Sequence, residues 1–218
     1  MQRLPELIHL TTNATQYSVA MHLLPDFPIT RPGRLSDHFR EQQMTTFYEV
    51  VKYLESLPYD RLNDPRNYAS VLTRGRGTFT ARHAILVQLA NEQQIAHLTL
   101  ALCVYDLAGR QWTEVGSVLR RHGLDSLPEV CGCIRHEQGF YSLEETTMAK
   151  QGIVSAVEIA PLQIGNFKRR YHSNYLANWI ALENMGSTWS VAALWAVRNE
   201  CLEALARQWN SQRSSVSQ

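Results

Sequence analysis

The stretch RGRGTFTARHAIL, from Arg74 to Leu86, combines a glycine-rich turn, a threonine and the start of a helix whose first position holds Phe79. Glycine allows the backbone to turn tightly before the helix begins. Apolar residues at helical spacing extend the predicted helix to about Gln93, namely Ala84, Ile85, Leu86, Leu89 and Ala90. The turn therefore delivers a side chain to the N-terminus of a helix, and that side chain is a phenyl ring.

The composition is that of one globular domain. The chain has 218 residues, of which 44% are hydrophobic and 19% are charged. The formal net charge of +1 provides no strong field for nucleic acid or an anionic membrane, and we expect neither as a partner. Two short basic clusters are predicted to be solvated surface: Arg74, Arg76 and Arg82, and Lys168, Arg169 and Arg170.

The N-terminal sequence has no long apolar core or small-residue cleavage site, and no apolar run reaches the length of a membrane span. We therefore expect a cytoplasmic protein. Four cysteines in a chain of this length are not expected to form a disulfide framework. The sequence does not indicate an oligomeric state.

The rest of the pattern predicts an α+β fold. Residues 1–44 are predicted to be a loop-rich N-terminal segment because prolines interrupt them. A helix is predicted from Met44 to just before Pro58, a buried strand over 98–104, and a hairpin with its turn near 137–139. Two C-terminal helices follow, the second with Ser190 as its N-cap, and residues 208–218 are predicted to be a disordered tail.

Several blocks in this order resemble a family of small bacterial transglutaminase-like proteins, which have a papain-like fold. The blocks are LPYDR (57–61), GTFTARHAIL (77–86), LPEVCGCI (127–134), IAPLQIGNFKRRYHSNYLANWI (159–180) and LWAVRNECLEAL (194–205). The resemblance implies a transglutaminase-like domain over 45–207, with a helix packed on a small antiparallel sheet and extra C-terminal helices.

In that family a cysteine at the helix start is the nucleophile, and a histidine and an aspartate on neighbouring strands assist it. The resemblance places Phe79, Cys131 and Ser142 at these three positions. A phenyl ring cannot attack, a thiol cannot replace an imidazole base, and a serine cannot orient an imidazolium as a carboxylate does. The resemblance therefore implies that the thiol acyl-transfer triad is missing.

Alternative chemistry at the same cleft is conceivable from the residues nearby. Cys131 could act as a displaced nucleophile with His83 or His136 as its base. Zinc ligation by Cys131, Cys133, His136 and His83 does not match the usual ligand spacing, and we expect neither a metal nor another cofactor. Glu129 matches a glutamate of the family and could be a functional acid or a structural hydrogen-bonding partner.

Two functional hypotheses remain. In the first, the protein is a pseudoenzyme that binds a small acyl or amine ligand, or a partner protein, in the vestigial cleft. The expected ligand-binding positions are Phe79, His83, Glu129, Cys131, Cys133 and Ser142. In the second, the same cavity belongs to a repurposed enzyme of small-molecule metabolism that performs cyclisation, condensation or hydrolysis.

Overall fold

A computed structural model describes residues 24–110, 112–137, 139–143 and 152–214. Within these ranges there are seven α-helices and one four-stranded sheet. The helices are α1 (Arg34–Glu41), α2 (Phe47–Ser56), α3 (Ser70–Arg74), α4 (Phe79–Glu92), α5 (Thr113–Arg121), α6 (Asn166–Leu182) and α7 (Val191–Ser214). The strands are β1 (Thr99–Ala108), β2 (Ser126–His136), β3 (Gly139–Tyr141) and β4 (Ser155–Ile159). A short 3-10 helix over Pro161–Ile164 precedes α6.

The sheet is antiparallel throughout, with the strand order β3-β2-β1-β4. The central pair is in register from Thr99 opposite Arg135 to Ala108 opposite Ser126. Helices combined with an antiparallel sheet confirm the predicted α+β class. The predicted buried strand and the hairpin turn near 137 are confirmed as β1 and as the β2–β3 connection.

Helices lie on both faces of the sheet. Alternate residues of a strand point to opposite faces. Glu129 on β2 contacts Arg198 of α7, whereas Gly132 on the same strand faces Thr80 of α4. The central strands are therefore covered on both sides, which explains why β1 and β2 are buried over most of their length.

The first turn of α4 lies unusually close to β2. A methyl group added at Gly132 would lie 2.7 Å from Cγ2 and 3.1 Å from Cα of Thr80, which is closer than atoms can approach without movement. Glycine at this position lets the backbone of β2 approach the helix. The Gly132 N–H donates to Thr80 Oγ1 over 2.9 Å, so the close approach also forms a hydrogen bond.

Arg82 fixes the glycine-rich turn to the rest of the molecule. Its guanidinium is fully buried and donates to the carbonyls of Leu54, Pro58 and Gly77 over 3.2, 2.6 and 2.9 Å. The Leu54 carbonyl lies at the C-terminal end of α2, where helices carry partial negative charge. The prediction that Arg82 is a solvated surface residue is wrong, because buried main-chain carbonyls take the place of water around its charge.

The N-terminal segment contributes more structure than its prolines predict. Residues 24–44 include α1 and several core side chains, namely Leu24, Ile29, Leu35 and Phe39. The Glu92 carboxylate accepts hydrogen bonds from the N–H groups of Leu35 and Ser36 over 3.1 and 2.8 Å, which ties α1 to the end of α4. The remainder of the predicted loop-rich segment, residues 1–23, lies outside the described residues.

The C-terminal helix is longer than predicted. α7 begins at Val191, next to the predicted N-cap Ser190, whose hydroxyl accepts from the Ala193 N–H over 3.1 Å. The helix continues to Ser214, so a disordered tail beginning at 208 is wrong for residues 208–214. The reason is tertiary contact, because Trp209 packs against the ring of Phe79. The remaining tail residues, 215–218, are outside the described part of the chain.

One disulfide joins neighbouring strands. Cys103 on β1 and Cys133 on β2 are bonded, with their Cα atoms 6.5 Å apart. Cys133 lies diagonally across from Cys103, because Cys131 is directly opposite Cys103 in the register. The sequence predicts no disulfide framework, and among the described residues this single bond joins strands that are already paired.

We predict that Arg82→Met destabilises the protein by about 3 to 5 kcal/mol, because the substitution removes three hydrogen bonds from a buried charged donor and leaves their carbonyls with main-chain hydrogen bonds of only 3.2 to 3.4 Å. Arg82→Lys should also be strongly destabilising, because one ammonium cannot reproduce the geometry of the guanidinium fork. Urea unfolding measures both effects. Arg76→Met is the control, since this exposed side chain lies 3.7 Å from Asp60 and should contribute less than about 1 kcal/mol. A similar loss in all three variants would contradict the prediction.

Candidate functional site

A cleft of about 820 Å³ lies between the first turn of α4, strand β2 and the two C-terminal helices. Its volume is within the usual range for small-molecule sites. Its lining includes four aromatic side chains, Tyr59, Phe79, Tyr105 and Trp195. It also includes the polar side chains Thr78, Thr80, Glu129, Lys168, His172 and Arg198. The cleft therefore combines apolar rings with a few converging polar groups.

The charge of the lining is mainly positive. Among the described residues of the lining, five side chains are basic and two are acidic: Arg61, Arg66, Lys168, Arg169 and Arg198, with Asp64 and Glu129. Both carboxylates form ion pairs with arginines of the same lining, Asp64 with Arg66 and Glu129 with Arg198. The positive excess of the cleft therefore comes from Arg61, Lys168 and Arg169.

The pair formed by Glu129 and Arg198 connects the sheet to α7. Two parallel hydrogen bonds of 2.6 and 2.7 Å join the guanidinium to the carboxylate, and both side chains are buried. Burial opposes ionisation of Glu129, but the positive charge of Arg198 holds the pKa of its carboxyl below the ordinary value. The carboxylate stays ionised and acts here as a structural partner of Arg198.

Lys168 on α6 reaches the first turn of α4. Its Nζ donates to Thr80 Oγ1 over 2.9 Å, and the same oxygen accepts from the Gly132 N–H. The Cys131 Sγ lies 3.9 Å from Thr80 Oγ1. Three elements of the fold therefore meet at one hydroxyl group.

His172, four residues after Lys168 on α6, lines the same cleft. Its Nε2–H donates to the Pro128 carbonyl over 2.9 Å, which leaves Nδ1 as the acceptor nitrogen. Among the described residues this Nδ1 has no hydrogen-bond partner. Burial lowers the pKa of His172 to about 4, with Glu129 opposing the shift and Arg198 adding to it. The imidazole is therefore neutral near pH 7.

The ring of Phe79 is part of an aromatic cluster. Its centroid lies 5.2 Å from that of Tyr59 and 4.8 Å from that of Trp209, and the Arg82 guanidinium carbon lies 5.2 Å above the ring. Only 3% of Phe79 is exposed. The side chain at the helix start therefore packs against α7 and also contributes to the lining of the cleft.

The cleft brings together some of the sequence-predicted site residues. Phe79, Glu129 and Cys131 all line it. The Cys131 thiol is buried and donates to the Gly132 carbonyl over 3.2 Å. Cys201 on α7, which like Cys131 is not part of the disulfide, is also buried, and burial raises the pKa of its thiol to about 12.

The other predicted site residues lie outside the lining of this cleft. His83 is fully buried, and its Nε2 accepts from the Leu143 N–H over 2.8 Å. Ser142 precedes that residue and is also buried. Cys133 is bonded to Cys103. Within the described ranges, no group of three His, Cys, Asp or Glu side chains is arranged to hold a metal ion.

The sequence interpretation missed four residues that shape the cleft: Thr80, Lys168, His172 and Arg198. For two of these residues the sequence contains a signal, which is their helical spacing. Lys168 and His172 are four residues apart, in line with the buried Leu176 of the same helix. A charged residue on the apolar stripe of a helix is a sign that it has a buried partner. No comparable local signal identifies Thr80, whose role depends on its contact with β2.

We predict that Glu129→Gln destabilises the protein by about 3 to 5 kcal/mol, because it leaves the Arg198 guanidinium buried without a counter-charge. The double variant Glu129→Leu with Arg198→Met should cost less than this single change, since it removes both charges together. Urea unfolding of the wild type, Glu129→Leu, Arg198→Met and the double variant completes the cycle. If the losses of unfolding free energy in the two single variants simply add in the double variant, the prediction is contradicted.

We also predict that stability falls as the pH is lowered from 6.5 towards 4. Burial, with the charges of Arg82 and Lys168, lowers the pKa of His83 from 6.5 to about 3, and His172 shifts in the same direction. The unfolded chain therefore takes up protons first, and the folded state loses stability below pH 6.5.

His83→Gln tests this pH dependence, because the amide oxygen can still accept from Leu143 but does not titrate. The slope of unfolding free energy against pH should become smaller in this variant. His97→Gln, which changes an exposed imidazole, is the control. An unchanged slope in His83→Gln would contradict the assignment.

None of the protein-family models, curated proteins or solved structures compared with this chain matches it.

Proposed function

We propose that the protein binds a small anionic ligand with an acyl group in the cleft between α4, β2, α6 and α7. The observation that carries this proposal is the charge of the lining. Among the described residues of the lining, both carboxylates are paired with arginines, and Arg61, Lys168 and Arg169 add positive charge. An anion is attracted by this excess, and the aromatic lining favours an apolar body attached to it.

The helix terminus at the cleft supports the same ligand class. α4 begins at Phe79, so its first N–H groups and the positive end of its dipole are next to the cleft. The Thr78 hydroxyl accepts from the Ala81 N–H, while the N–H groups nearer the terminus lack intrahelical acceptors. A carboxylate or carbonyl oxygen is suited to that position.

We further propose that the scaffold is a transglutaminase-like one that has lost thiol acyl transfer. Support comes from the start of α4, which adjoins β2, and from Phe79 and Cys131, which line one cleft. The position of Ser142 outside the lining gives no support for the third member of the expected set. A buried phenyl ring at the helix start is incompatible with a nucleophile at that residue.

The cleft favours a small molecule over a partner protein as the ligand. Its volume is typical of sites for small molecules, and its polar groups converge from several elements of the fold. The neutral His172 lines the cleft, and its Nδ1 acceptor has no partner within the part of the chain that the structure describes. A ligand with a hydrogen-bond donor can use this acceptor in addition to the basic groups.

Binding of the fluorescent sulfonate 1-anilinonaphthalene-8-sulfonate tests the proposal. We predict saturable one-to-one binding that weakens about tenfold in Lys168→Gln, since one charge contact is worth roughly 1.5 to 3 kcal/mol. Arg170→Gln is the matched control, because this exposed neighbour on α6 does not line the cleft. The acyl carboxylate 4-acetamidobenzoate should displace the probe, and the neutral 4-acetamidobenzamide should not. Absence of binding, or equal weakening in both variants, would refute an anion site.

A further inference from the structure

We infer that Thr80 and Lys168 form a nucleophile and base pair that hydrolyses an ester of an anionic substrate held in the cleft. This inference rests on the proposed anion site and adds a reaction to it. The two atoms concerned, Thr80 Oγ1 and Lys168 Nζ, lie 2.9 Å apart. Both residues line the cleft, so a bound acyl group can reach them.

Thr80 is not needed to cap its helix. The N-cap is Thr78, whose hydroxyl accepts from the Ala81 N–H over 3.2 Å. Thr80 lies one position inside the helix, with only 5% of its surface exposed. Its hydroxyl is directed away from its own helix, since its partners are Gly132 on β2 and Lys168 on α6. The buried hydroxyl therefore serves a contact between elements at the edge of the cleft.

The surroundings of Thr80 Oγ1 stabilise negative charge on that oxygen. The Gly132 N–H and the Lys168 amine both donate to it, and hydrogen bonds from a charged donor are stronger than neutral ones. The N-terminus of α4 adds its partial positive charge. A hydroxyl in this setting loses its proton more readily than one in water, which is what a hydroxyl nucleophile requires.

The geometry also provides a base and a site for the oxyanion. Lys168 carries its proton when it donates to Thr80 Oγ1 and attracts the anion. In the fraction of molecules in which the amine is neutral, the Thr80 hydroxyl donates instead, and its proton passes to the lone pair of Nζ across the same 2.9 Å. The N–H groups at the start of α4 are suited to hold the carbonyl oxygen as it becomes negative. Serine–lysine and threonine arrangements are known variants of the nucleophile and base pair.

The reaction balances with water as the only co-reactant. In the first step Thr80 Oγ1 attacks the acyl carbon, its proton passes to Lys168 Nζ, and the departing alcohol takes that proton as the ester bond breaks. In the second step water attacks the threonyl ester. Lys168 accepts the water proton and returns it to Oγ1 as the acid is released. The net change is ester plus water to carboxylic acid plus alcohol.

Cys131 is a weaker candidate for the same role. Its thiol donates to the Gly132 carbonyl and lies on the strand, whereas Thr80 lies at the helix terminus. His83, the imidazole expected to assist it, lies outside the cleft lining, and its Nε2 accepts from Leu143. The arrangement around Thr80 has the base at hydrogen-bond distance.

Hydrolysis of 4-acetoxybenzoate by the intact protein tests the inference, with the neutral 4-acetoxybenzamide as the matched substrate. The carboxylate substrate should be hydrolysed faster, and a single acetyl adduct should be found by mass spectrometry on the peptide that contains Thr80. Thr80→Val should lower the rate by about a hundredfold or more, whereas Thr80→Ser should keep the rate within about tenfold.

Lys168→Arg distinguishes the role of Lys168 as a base from its role as a positive charge. Arginine keeps the positive charge but cannot give up its proton in a protein. Hydrolysis should therefore fall by about a hundredfold, far more than the affinity for the fluorescent sulfonate. Arg170→Gln, outside the lining, should leave the rate unchanged. Circular dichroism and unfolding curves show whether each variant is folded.

The outcomes distinguish this inference from the proposed function. If the wild type binds the sulfonate but shows no adduct and no hydrolysis above the uncatalysed rate, the anion site stands and the Thr80–Lys168 reaction is overturned. Hydrolysis that persists in Thr80→Val or Lys168→Arg also overturns it. If the sulfonate does not bind at all, the proposed function is refuted, and the inference that rests on it is overturned with it.

Discussion

The structure depends on the buried guanidinium of Arg82. Three main-chain carbonyls surround it, one of them at the end of α2 and another in the glycine-rich turn. Because Arg82 is itself part of α4, these bonds fix the first turn of that helix against the segment that leads into it. The start of α4 then stays close enough to β2 for Thr80 to bond the Gly132 N–H. The cleft lies where α4 and β2 meet. Its geometry therefore depends on Arg82, although Arg82 is not one of the residues that line it.

The electrostatics of the cleft follow from a second buried arginine. Arg198 neutralises Glu129 within the lining, and the pair connects the sheet to α7. A buried ion pair adds little net stability compared with apolar residues of similar size, but removal of one partner is costly. The pairing also leaves the cleft with a positive excess from Lys168, Arg169 and Arg61. The same contact that holds α7 in place therefore determines which sign of ligand charge the cleft favours.

The strongly periodic elements could be predicted from the sequence, because their signals are local. Examples are α4, β1 and the start of α7 at Val191. The burial of Arg82 could not be predicted, since its carbonyl partners come from another helix and from a turn. β4 was missed for a related reason, as a short strand is defined by its pairing with β1. In the site, the resemblance predicts Phe79, Glu129 and Cys131 as site residues, and they line the cleft. Lys168, predicted from the sequence to be solvated surface, lines it too. Its contact with Thr80 joins residues 88 positions apart, which no local pattern can reveal.

A phenyl ring at the first position of α4 does not prevent the N-terminus of that helix from stabilising negative charge. Successive residues of an α-helix are rotated by about 100°, so Phe79 and Thr80 point in different directions. The ring turns towards Tyr59 and Trp209, while the next side chain turns towards β2 and Lys168. The partial positive charge of the helix terminus affects groups on both the Phe79 side and the Thr80 side of the helix. It can hold the anion of a bound ligand, and it can stabilise an oxygen that loses a proton. The proposed binding uses the charged form of the Lys168 amine, and the inferred reaction uses its neutral form.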